Sequence, residues 1–190
     1  MKLLVKTLVF ITALSIYDHP VFAQLKIATD NGLVADIKKV IEDHPYHFSH
    51  ITGELILENP QSSDYQCSLK VSGAEESTIT RYSAKNKDVY SWQALMLTTE
   101  SFDDAKKKFK ALYSQLNEMK LKTSRLSGVY EAPVEEKKFS TVIFSFDGKD
   151  EAISKLKVEL VIFSEILEWK VRLVVYDRER EDNERGRVVE

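Results

Sequence analysis

The sequence predicts an α+β protein made by tandem duplication: a helix followed by a four-stranded antiparallel meander, then the same pattern again (α-β4-α-β4), with the helices packed on one face of the sheets. Three observations predict it. Ser101 to Met119 reads as an amphipathic helix in mid-chain, and the segments on either side of it alternate apolar and polar residues as half-buried strands do. Turn and aromatic residues also recur at nearly constant spacing: Thr52-Gly53 with Ser127-Gly128, Pro60 with Pro133, Gly73 with Gly148 and Trp92 with Trp169, at separations of 75, 73, 75 and 77. The alternative is one irregular α+β sheet in which these matches are accidental.

The repeat boundaries follow as 24–98 and 99–177, preceded by a signal peptide at 1–23 and followed by a charged tail at 178–190. Lys2 and Lys6 open the chain, Thr7 to Tyr17 is an apolar run too short to cross a bilayer, and Val21-Phe22-Ala23 suits signal peptidase. Cleavage after Ala23 removes 23 of the 190 residues and leaves 167, with Gln24 first. Lys2, Lys6 and Asp18 leave with the signal, so the formal charge moves from −3 to −4. No cysteine follows the cut to carry a lipid, and no later segment is long and apolar enough to span a membrane. The expected product is therefore periplasmic or secreted and free in solution.

In the first half, Asp30 or Asn31 can cap a helix whose Leu33, Val34, Ile37, Val40 and Ile41 form one stripe, and Pro45 stops it. Four strands are expected next. Thr52 to Glu58 holds the run Leu55-Ile56-Leu57; Tyr65 to Val71 alternates strictly; Thr78 to Ala84 is weaker; and Val89 to Thr98 is the strongest. Turns at Ser72-Gly73 and at Lys85 to Asp88 separate the later ones. In the central helix Phe102, Ala105, Phe109, Leu112, Tyr113, Leu116 and Met119 share a face, and Ser101 with Asp104 approximates a capping box. The second half supplies strands at Leu126 to Ala132, Lys138 to Phe146, Ser154 to Phe163 and Leu167 to Tyr176, rich in β-branched and aromatic residues.

Two units of about 75 residues, each one helix plus four strands, are similar in layout to the secreted β-lactamase inhibitor proteins. That resemblance implies the paired fold. It carries over no inhibitory residue, because the family's disulfide pairs are absent and Cys67 is the only cysteine. Cys67 sits among Leu69 and Val71 and is expected to be buried.

Composition argues against several functions. The mild acidic balance gives no electrostatic reason to expect nucleic acid. GxSxG, GxGxxG, P-loop and CxxC patterns are all missing. Glu54, Glu58, Glu159 and Glu168 sit in strand patterns where a solvated outer face is expected, as do Lys106, Lys107, Lys108 and Lys110 on the central helix. The densest chemistry is Asp43-His44-Pro45-Tyr46-His47-Phe48-Ser49-His50. Three imidazoles beside a carboxylate could ligate a divalent metal and support hydrolysis, with His44, His47 and His50 as the ligands. Against that, the spacing differs from HExxH and Pro45 keeps the three off one helical face, so solvated histidines in a helix-to-strand connection are the competing reading.

What remains is a non-enzymatic binding module for a protein or an envelope ligand, needing no cofactor. Tyr82, Tyr90, Tyr130 and Tyr176 are its candidate contact residues, provided they are exposed and contiguous. The metal-assisted hydrolase and a structural or homodimeric envelope component are the rivals.

Overall fold

The computed structural model describes residues 31–83, 88–148 and 151–177. Residues 1–23, where a signal peptide is expected, the charged tail at 178–190, Asp30 and most of the turn expected at Lys85 to Asp88 lie outside the described residues. Helix α1 spans Asn31–Asp43 and runs through a 3₁₀ turn, His44–Tyr46, into strands β1 (Thr52–Asn59), β2 (Ser62–Cys67), β3 (Glu76–Tyr82) and β4 (Val89–Thr99). Helix α2 (Phe102–Leu116) leads to β5 (Lys120–Leu121), β6 (Ser124–Ser127), β7 (Phe139–Asp147), a single helical turn α3 (Glu151–Ser154), β8 (Leu156–Glu165) and β9 (Glu168–Asp177).

The nine strands make one sheet, antiparallel throughout, in the order β1-β2-β3-β4-β9-β8-β7-β6-β5. This overturns the tandem α-β4 fold. The reason is the long pairing of β4 with β9, which runs from Ser91↔Tyr176 to Thr99↔Trp169 and leaves neither strand an open edge. A buried row crosses the junction without a break: Ile79, Trp92, Val175, Val158 and Phe144 are neighbours on successive strands, and each is fully buried. Ala94, Leu173, Leu160 and Val142 make a second such row. These residues belong to one core with Leu33, Ile37, Val40 and Ile41 of α1 and Ala105, Phe109, Leu112 and Leu116 of α2.

The positions that suggested a repeat are not equivalent. Trp92 stands between Ile79 and Val175, whereas Trp169 stands between Thr99 and Ser164 with its ring 4.8 Å from that of Phe102. Helix α2 lies over β4, β8 and β9 at the middle of the sheet, while α1 is tied to the β2–β3 connection, where Asp36 accepts hydrogen bonds from the Ser72 amide and hydroxyl. The second half also contributes five strands, and β6 ends at Ser127 instead of continuing to Ala132. The likeness to the β-lactamase inhibitor layout depended on two units and falls with them.

Local chemistry explains most of the elements. Ser101 caps α2, its Oγ accepting from the Asp104 amide at 3.2 Å, with Asp103 and Asp104 at the positive end of the helix. Cys67 is buried, as its neighbours suggested. The alternation read through Val71 belongs partly to a loop: β2 stops at Cys67, and Leu69 and Val71 pack into the core from the connection that follows. On the face away from the helices, Thr78, Gln93, Val174, Glu159 and Ile143 form one row across five strands. Among the described residues no helix is long and apolar enough to cross a membrane.

Candidate functional site

The histidine segment forms a tight corner between α1 and β1. His47 and Phe48 both take left-handed backbone angles, φ 57° and 59°, which turns the chain back and drives the Phe48 ring into the core, fully buried. Asp43 at the end of α1 is itself buried and holds the far side of the corner: its carboxylate accepts from the His50 amide at 3.2 Å and binds the His50 ring at Nδ1. The Phe48 carbonyl accepts from Thr52 Oγ1 at 2.8 Å.

The three imidazoles engage three different partners. His44 lies 3.8 Å from the Asp177 carboxylate and edge-on to Phe48, His47 stacks on Tyr90 with ring centroids 4.9 Å apart, and His50 pairs with Asp43. Among the described residues no group of three or more His, Cys, Asp or Glu side chains is placed to hold a metal ion. Within the corner, hydrogen bonds hold His50 and Thr52, and a ring stack holds His47.

The four tyrosines do not form a common exposed surface. Tyr176 is buried; Tyr82, Tyr90 and Tyr130 are half-buried. Tyr90 lies beneath His47, and burial, then the Asp88 charge, raises its pKa. Tyr130 packs on Tyr113 and Phe109 at the other half of the sheet, where burial raises its pKa as well. Tyr176 pairs with Ser91, one residue out of step with the row that holds Trp92 and Val175, and so belongs to the opposite face of the sheet from Tyr90.

The longest run of consecutive exposed large apolar residues among the described residues lies on β1. Leu55, Ile56 and Leu57 are 51, 60 and 51 % exposed, on a strand whose only neighbour among the described residues is β2. Register shifts between Thr52 and Leu55 and between Leu55 and Leu57 mark bulges that set these side chains out of simple alternation. Gly53 permits this close pairing, since a Cβ there would stand 2.9 Å from the Gln66 carbonyl oxygen. Beside Ile56 opens a groove of about 680 Å³ lined by Gln66, Cys67, Lys70, Glu76 and Thr78 among others. Glu54 and Glu58 bracket the apolar run and make no ion pair with any described residue.

Sequence reading found this run but not its exposure. The available signal was three aliphatics in succession between two glutamates, a pattern that a strand with one buried face does not need. Compared with protein-family models, curated proteins and solved structures, the chain matches none.

Proposed function

We propose that the protein is an exported, non-enzymatic binding module that takes up an extended segment of a partner polypeptide along the edge of β1 that no described strand pairs. The observation that carries this is the exposure of Leu55, Ile56 and Leu57 together on an edge strand. Such an edge offers a row of main-chain donors and acceptors for affinity and side-chain positions on both faces for selectivity. Completing the burial of three half-exposed aliphatics contributes about 1 kcal/mol each, a useful increment over main-chain hydrogen bonds that merely replace those to water. Export rests on the reading of residues 1–23 as a signal peptide.

Selection of random displayed decapeptides on the immobilised protein tests the reading. Wild type is expected to enrich sequences of high β-propensity, and the Ile56→Lys variant to lose them, while a Leu167→Asp variant, changed at an exposed site away from β1, keeps them. Enrichment that survives Ile56→Lys, or none at all, contradicts it.

A further inference from the structure

Resting on that reading, we infer that the segment docked on β1 is cationic at both flanks of an apolar centre, and that a second copy of this chain is not the occupant. Strand β1, TGELILEN, carries two carboxylates and no basic residue, and both carboxylates lie on the exposed edge beside the apolar run. Charges facing each other across adjacent strands stabilise when opposite and destabilise when alike. A partner strand with lysine or arginine on either side of three apolar or β-branched residues satisfies both glutamates while covering Leu55, Ile56 and Leu57.

A second copy fits poorly. Antiparallel pairing of two β1 strands centred on Ile56 sets Glu54 of each copy opposite Glu58 of the other, and any nearby register still gathers four glutamates and no cation into one short ladder. Edge charges can instead serve only to keep other strands away. A purely defensive edge would not leave three aliphatics exposed between its charges, so the glutamates act here as selectors, admitting basic strands and rejecting acidic ones.

Three blocked seven-residue peptides with the same Val-Thr-Val centre, which matches the three residues between Glu54 and Glu58, flanked on each side by two lysines, two serines or two glutamates, separate the outcomes. The lysine peptide is expected to bind about tenfold more tightly than the glutamate peptide, with the serine peptide between. The advantage should shrink between 50 and 500 mM salt, as it must for exposed charges (about one Debye length of 10 Å at 0.1 M). In the Glu54→Lys, Glu58→Lys double variant the order should reverse. Equal affinity for all three overturns the charge inference and leaves the edge reading standing. Binding by none of them counts against both. Self-association of the wild type that Ile56→Lys abolishes overturns the inference in favour of a second copy.

Discussion

Ile166 and Leu167 form the two-residue turn between β8 and β9, with φ 46° and 69°, and they are 89 and 90 % exposed. Both angles positive is type I′ geometry, which Asn-Gly adopts easily and which a β-branched residue adopts only under strain. Replacing the pair by Asn-Gly should raise stability by about 1–2 kcal/mol in urea denaturation, and an unchanged or lower midpoint would show that the turn carries no strain. The sequence predicts a strand from Leu167, because Leu167 continues the alternation of Trp169, Val171 and Leu173, but β9 begins at Glu168 and Leu167 lies in the turn. The alternation is real for those three residues. What the pattern lacked was any Gly or Asn to mark the turn. Asp36 offers a second test at this scale. Burial pushes its carboxyl upward, but the Ser72 hydroxyl and amide, followed by Lys39, outweigh that and hold its pKa below the ordinary aspartate value. A carboxylate whose pKa is lowered on folding contributes stability above its unfolded pKa, near pH 4, and loses it as pH falls through the folded value. Asp36→Asn should therefore flatten the fall of the urea midpoint below about pH 4. An unchanged slope would place the acid sensitivity elsewhere.

Among the elements, α1, α2 and the strand at Thr52–Asn59 were legible, but the place of that strand at the edge of the sheet was not. The three- and four-residue spacing of Ala105, Phe109, Leu112 and Leu116 states which face of α2 is buried, and Ser101 states where the helix starts. A strand's periodicity says that one face is buried but not which strand lies beside it, so pairing of β4 with β9 could not be read from either strand alone. For β1 the informative residue is Gly53, whose missing side chain lets the strand close on the Gln66 carbonyl. Gly53→Ala should lower stability by about 1–3 kcal/mol and speed amide exchange along Thr52–Asn59, because backbone on the opposing strand cannot swing aside as a side-chain tip can. Exchange rates equal to wild type would show that β1 is not held by this contact.

At the scale of the molecule, a core that runs unbroken from Ile79 to Phe144 across the β4–β9 junction makes the described chain a single cooperative unit. Calorimetry should give one transition, and separate chains covering 24–98 and 99–177 should each fail to fold, since each would expose one side of its central strand; two transitions would restore independent units. The same sheet order leaves β5, two residues long, at one end of the described sheet and β1 at the other, and the proposed binding falls on the β1 side. The most direct test is amide hydrogen exchange with and without the lysine-flanked peptide. Main-chain pairing predicts added protection concentrated in Thr52–Asn59, alternating along the strand as its amides point outward and inward. Protection confined to the 43–50 corner or to the helices, with β1 unchanged, would contradict the account.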